Sequence, residues 1–215
     1  MRNKYVLAFC VVAALAVVGV ETRSLRRDVA AAPGLGAKHF PNVVLKTHEG
    51  KTVRFYDDIM KGDKIVMVNF MYAKCNGICP GATRNLVKAQ QMLKDRVGKD
   101  IFMYSITLSP ETDTPEVLAE YVQSHKIQKG WTFLTGSKAD IELLRRSLGF
   151  VDPDPDLDKI RSNHSGMVLM GNETIDRYIA CAALGNPERL VETVLWMESP
   201  TMRQKRQHAV DRGGV

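Results

Sequence analysis

Between residues 40 and 200 the apolar positions follow two rhythms, short β-branched runs and helical three-or-four spacing, and the two alternate along the chain. Val43 to Phe55 alternates on either side of Glu49-Gly50, which predicts a β-hairpin. Ile65 to Phe70 is nearly continuous in hydrophobicity, as expected of a strand covered on both faces. A helix is predicted next. Pro80 suits its first position, where a missing N–H costs nothing, and Ala82, Leu86, Ala89, Leu93 and Val97 recur at helical spacing. Ile101 to Thr107 reads as a second strand, Pro115 to Gln123 as a helix capped by Thr114, and Trp131 to Thr135 as a third strand. Ser137 with Asp140 opens a helix carrying Ile141, Leu144 and Leu148 on one side. Strands that alternate with helices predict parallel pairing. Gly149 to Asn163 is too polar and too rich in proline for regular structure and reads as a mobile loop. Gly166 to Met170 and Thr174 to Ala180 predict a second hairpin turning at Gly171-Asn172, and Pro187 to Met197 a closing amphipathic helix.

The flanks follow neither rhythm. A basic head, Met1 to Lys4, precedes a run of 16 residues without a charge, Tyr5 to Val20, so residues 1–20 read as a signal or membrane anchor. The run exceeds a usual secretory core and no Ala-x-Ala site follows it, which points to a retained anchor. Cys10 sits inside the run after bulky Phe9, against a lipoprotein. The expected location is a bacterial inner membrane with the domain facing the periplasm, or an exported soluble form if the segment is cleaved. Residues 21–39 lack an amphipathic period and read as a tether, residues 40–198 as one domain, and residues 199–215 as a disordered basic tail.

Charge changes this picture little. The formal net charge is +6, but residues 41–200 carry 20 basic and 21 acidic groups, so the excess lies in the flanks. A basic balance confined to the ends argues against nucleic acid as a partner.

Cysteine changes it more. Apart from Cys10, the chain has Cys75, Cys79 and Cys181, which is no disulfide framework. Cys181 follows Ile179 and Ala180 near the end of a strand and reads as a packed core thiol. Cys75 and Cys79 directly follow the buried strand and open the helix at Pro80, where the helix N-terminus stabilises a thiolate. That environment suits metal binding or thiol chemistry. Thiol-disulfide exchangers usually separate their cysteines by two residues; three residues put the sulfurs one helical turn apart, both able to face one ion. The candidate third donor is His164, at the end of the acidic loop and just before a strand, whereas His39, His48, His125 and His208 fall in tether, turn, helix end and tail. Three ligands are too few for a closed zinc site and suit copper: thiolates select Cu(I), and an imidazole lets the site also hold Cu(II). Met67, Met103, Met167 and Met170 fall at strand positions and read as core. The element order is the thioredoxin arrangement with additions. The predicted class is α/β, thioredoxin-like, with an N-terminal β-hairpin and an inserted loop and hairpin.

Cys75-Asn-Gly-Ile-Cys79-Pro80, Pro110-Glu-Thr-Asp-Thr-Pro115 and His164-Ser165, in that order, resemble the Sco/SenC copper proteins over about residues 40 to 197. The resemblance implies a thioredoxin-like fold, a membrane-tethered domain outside the cytoplasm, and copper held by Cys75, Cys79 and His164. It also implies copper delivery to, or thiol reduction of, the CuA centre of cytochrome c oxidase subunit II, with that subunit or another copper-receiving protein as partner. Such a protein is a metallochaperone rather than an enzyme. The alternative is a membrane-tethered thiol-disulfide oxidoreductase or redox sensor, in which Cys75 and Cys79 are the reactive pair and His164 is dispensable. Asn163, His164, Ser165 and Gly166 occupy the place where thioredoxin-type enzymes carry a cis-proline, which weighs against a general oxidoreductase. The peroxiredoxin pattern Pro-x-x-x-Thr-x-x-Cys is absent before Cys75. Two positions depart from the family: Ser109 stands where an Asp precedes Pro-Glu, and Cys181 is unexpected.

Overall fold

A computed structural model describes residues 36–75, 77–164 and 166–212. The expected anchor, residues 1–20, and the tether as far as residue 35 lie outside the described residues. In chain order the elements are α1 (Gly36–His39), β1 (Val44–Thr47), β2 (Thr52–Arg54), a π-helical turn (Phe55–Met60), β3 (Ile65–Met71), α2 (Cys79–Leu93), β4 (Ile101–Thr107), α3 (Pro115–Ser124), β5 (Trp131–Gly136) and α4 (Lys138–Ser147). They continue with α5 (Pro155–Asp158), a 3-10 turn (Arg161–His164), β6 (Met167–Asn172), a second 3-10 turn (Glu173–Ile175), β7 (Arg177–Ala182), α6 (Pro187–Trp196) and α7 (Pro200–Arg212).

The strands form one seven-stranded sheet in the order β2-β1-β5-β4-β3-β6-β7. β3, β4 and β5 are parallel, as the alternation of strands and helices requires, while β1 joins β5 and β6 joins β3 antiparallel. β3, paired on both sides between β4 and β6, has all seven of its residues buried. Ile65, Met67 and Met71 point into a core completed by α2, α3 and α6, and Val66, Val68 and Phe70 into one completed by Phe40, the π-helical turn and α4. One polar chain crosses this apolar sheet: the Trp131 indole donates to Ser105 Oγ (2.8 Å), which donates to Asn69 Oδ1 (2.7 Å). All three groups are thereby paired, as burial demands. Of the four strand methionines, Met67, Met103 and Met170 are buried in the core and Met167 is partly exposed.

Several expectations move. The second hairpin does not turn at Gly171-Asn172: β6 runs through both, and the turn is Glu173–Asp176, closed by Asp176 in the left-handed region (φ 47). Gly171 is needed inside the strand because Tyr178 from β7 lies flat where any Cβ would project. Val97 leaves the helical pattern after Leu93 and instead starts the approach to β4. The loop from Gly149 to Asn163 is not structureless; it contains α5, started by the Asp154 side chain accepting from Asp156 N–H, and most of the turn ending at His164. His48, placed at the first hairpin's turn, is half-buried and accepts a hydrogen bond from Phe133 N–H (3.1 Å). Residues 200–212, expected to be disordered, form α7, because Met202 finds a buried seat. Among the described residues no helix is long and apolar enough to cross a membrane.

Candidate functional site

β3 delivers the chain to the cysteine loop, and the backbone there is held by a buried carboxylate. Asp113, in the turn after β4, accepts hydrogen bonds from Thr107 Oγ1 (2.6 Å) and from the backbone N–H of Ala73 (2.9 Å), two residues before Cys75. Thr107 Oγ1 in turn accepts from Ser109 N–H (2.9 Å). The end of β4 and the start of the cysteine loop are thus tied through one side chain. Sequence reasoning did not single out Asp113; it lies inside the second motif, but only its contact with Ala73 reveals its task.

α2 begins at Cys79 without a side-chain cap, since Ile78 precedes it. Its open N–H groups are the partners a thiolate seeks. Burial raises the cost of ionising Cys75, and hydrogen bonds from the Cys79 thiol, from the Tyr72 hydroxyl and from the N–H groups of Cys79 and Gly77 outweigh it. The Cys75 thiol is therefore more acidic than an ordinary cysteine. The hydrogen bond to Cys75, followed by burial, pushes the ionisation of Tyr72 up to about 12, so its hydroxyl stays a donor. The two sulfurs are not equally reachable: Cys75 is 7% exposed and Cys79 is 1% exposed. None of Cys75, Cys79 and Cys181 is in a disulfide. Cys181, on the edge strand β7, packs partly buried against the same core as the pair.

His164 is also buried, but its neighbours differ. Its Nε2–H donates to the carbonyl of Asp158 (2.7 Å), and the Arg145 guanidinium lies against the ring with Nη1 3.2 Å from Nε2. Arg145 holds the Asp158 carboxylate with two hydrogen bonds (2.7 and 2.8 Å), grips Glu142 with two more (2.9 and 2.8 Å), and donates to Phe150 O (2.6 Å). Those bonds, the Arg145 one foremost, hold the Asp158 carboxyl well below the usual carboxylate range. Sequence reasoning missed Arg145, yet a signal existed: it sits one position after Leu144 on the apolar stripe of α4, where a cation needs a buried partner. His164 borders two cavities of about 320 and 110 Å³.

The structure therefore brings Cys75 and Cys79 together and leaves His164 in a separate polar network. Among the described residues no group of three His, Cys, Asp or Glu side chains is gathered as a metal ion would need. The donor chemistry of the thiol pair fits a soft cation, and His164, the expected third donor, is held elsewhere. The two regions are nevertheless adjacent in the chain's path. Gly166, two residues past His164, packs against Ile78, the residue before Cys79. Arg161, on the turn that carries His164, donates to Ser109 Oγ (2.6 Å), just before the second motif, and to Glu111 (3.1 Å), inside it. Ser109 thus has a definite partner.

Comparisons with known proteins bear on the family and the fold. A profile described as SCO1/SenC matches residues 34–197. A curated relative, the SCO1 protein homolog of Bacillus subtilis, is 29% identical over 99 residues, which cover 45% of this chain and 49% of that protein. The match thus spans about half the length of that relative. Among solved structures, a SCO1/SenC family lipoprotein from Bacillus anthracis is similar with a TM-score of 0.59 at 23% identity, over 74% of this chain and 94% of that one. Arabidopsis thaliana ScoI with copper bound gives 0.55 at 23%, over 76% and 96%. Yeast Sco1 with copper bound gives 0.57 at 17%, over 74% and 92%. At these identities the likeness establishes the fold.

Proposed function

Because the chain belongs to the SCO1/SenC family, we propose that it binds copper through Cys75, Cys79 and His164 and hands it to another protein. The recipient in this reading is the CuA centre of cytochrome c oxidase subunit II, reached from the exported face of a bacterial inner membrane to which residues 1–20 tether the domain. One observation carries the copper reading: two adjacent thiols at an uncapped helix start, with Cys75 held in favour of its thiolate. Copper-bound relatives of the same fold support it. The ligand separation gives the cycle its character. Cu(I), satisfied by two thiolates, needs only the sulfurs, whereas Cu(II) calls for the imidazole and so for release of His164 from Asp158 and Arg145.

A second reading, a thiol-disulfide reductase acting on the cysteines of the same recipient, is favoured by the hydrogen bond between the two thiols and by the low exposure of Cys79, which suits a second, sealed sulfur. One titration separates the two. Reduced protein and its His164→Ala variant are titrated with Cu(I) and Cu(II) while stoichiometry and absorption are followed. The expected result is one copper per chain, a thiolate-to-Cu(II) charge-transfer band lost in the variant, and Cu(I) retained by both. Equal loss of both ions in the variant breaks the division of labour, and no retained copper beside a readily reversible Cys75–Cys79 disulfide leaves the reductase.

A further inference from the structure

The end of the sheet opposite the thiols holds features that copper handling leaves unused. β3 begins there at Ile65 and reaches the cysteine loop after seven residues, a span of about 23 Å at ~3.3 Å per residue. At this end Glu173, in the β6–β7 turn, accepts hydrogen bonds from the Tyr56 hydroxyl (3.1 Å) and from Gly62 N–H (3.4 Å). The Tyr56 hydroxyl also lies 3.2 Å from the point a Cβ on Gly36 would occupy. Gly36, where the described residues begin, therefore lies at this end of the sheet, far from Cys75.

α7 is rooted at the same end. Asn172 donates to Met197 O (3.2 Å) and to Met202 Sδ (3.4 Å), and Ser199 Oγ donates to Asp63 (3.0 Å). Buried Glu198 is shared by Arg96 (2.6 Å) and Arg206 (3.1 Å). Past this root the helix is bare: every residue of α7 except Met202 is exposed. A 13-residue helix that is polar all round has no packing of its own to hold it and is marginal by propensity alone. Arg203, Lys205 and Arg212 make no ion pair among the described residues, while Arg206 is committed to Glu198. Next to the root Trp196 is 66% exposed, its carbonyl held by Arg177 (2.6 Å).

An exposed indole at the root of a helix whose Arg203, Lys205 and Arg212 make no ion pair among the described residues is the side-chain chemistry of a bilayer interface. Indoles settle at headgroup depth, and lysine and arginine are drawn to anionic lipid. We propose that α7 and Trp196 form a docking surface for an anionic lipid bilayer, which turns the thiol end of the domain away from the membrane. The proposal rests on the tether reading of residues 1–20 for its orientation, and on charge and exposure at α7 for the contact itself. An acidic protein also complements the cations, but an indole left 66% exposed is the side chain that settles at headgroup depth.

The test uses the full-length chain reconstituted into phosphatidylcholine vesicles with and without phosphatidylglycerol, and reads quenching of Trp196 by a doxyl-labelled lipid. Trp131 is buried, and a Trp196→Phe variant supplies its background. The expected result is quenching at least about two-fold stronger with phosphatidylglycerol, falling to the neutral-lipid level in about 0.5 M salt. The same fall is expected in a variant carrying Arg203→Gln, Lys205→Gln and Arg212→Gln, whose copper stoichiometry is unchanged. Equal quenching in the two lipids, or no change in the triple variant, overturns the proposal. Flotation with neutral vesicles at high salt reports the N-terminal segment alone. Its failure beside lipid-selective quenching removes the tether and supports the α7 contact.

Discussion

The thiol pair and His164 are both buried, yet they are held in place by different means. Cys75 and Cys79 sit where a strand paired on both sides becomes a helix, so their positions are set by main-chain geometry and by core packing around Met71, Ala82 and Leu86. His164 sits on a short 3-10 turn and is held by side chains, through Arg145 and the Asp158 segment. Main-chain pairing is lost only by unfolding; side-chain hydrogen bonds exchange without it. In the copper reading proposed above, the contrast says which donor would move: the sulfurs form a fixed platform, and the imidazole is the part to be delivered to it.

The sharpest way to break this contrast is to dissolve the histidine's holder. Arg145→Met takes the buried arginine from Asp158 and Glu142 and leaves them Arg146 alone, so the cost stays below the about 3–5 kcal/mol of a fully broken buried pair. Chemical denaturation measures that loss, and stopped-flow Cu(II) binding to the variant is expected to be faster than to the parent, because His164 is already released. An unchanged rate removes Arg145 as the holder. On the platform side, Asp113→Ala leaves Thr107 and the Ala73 N–H unpaired in a buried setting, at about 1–3 kcal/mol. The expected sign of a role at the thiols, rather than in the fold alone, is faster alkylation of Cys75 together with an altered charge-transfer band, both restored in Asp113→Asn. The smallest effect is expected at the bridge between the two regions. Ser109→Asp turns the Arg161 contact into a partly exposed ion pair, worth at most about 1 kcal/mol, and should slow Cu(II) capture slightly by holding the His164 turn closer to the second motif. Identical capture kinetics in that variant cut the bridge out of the account.

Much of this was legible in the residue pattern, and the reasons for the rest are physical. The three parallel strands, the helix opening at Cys79 and the caps at Thr114 and Ser137 follow from local signals, and the structure has Thr114 Oγ1 and Ser137 Oγ accepting from Val117 and Asp140 N–H. The thiol pair was legible for the same reason, since three residues and a helix start fix it locally. What failed was non-local. The hairpin turn was misplaced because Gly171 and Asn172 look like a turn, while in the fold they serve Tyr178 and the root of α7. α7 was missed because a polar helix has no periodic stripe and is seated by Met202 alone among its residues. The loop before His164 reads as free in the sequence because Asp158 finds its cations, Arg145 and Arg146, on α4, in a part of the chain read as an ordinary amphipathic helix.

The family match ends at residue 197, but the packing does not. Glu198 and Ser199 are buried, and Met202 completes the core beyond them. A fragment trimmed to the family boundary therefore takes buried Glu198 from Arg96 and the Met202 sulfur from Asn172 together. Deletion series, stop codons and fusions placed after Met197 act on the interior of the domain, and the first harmless place to cut lies past Arg206.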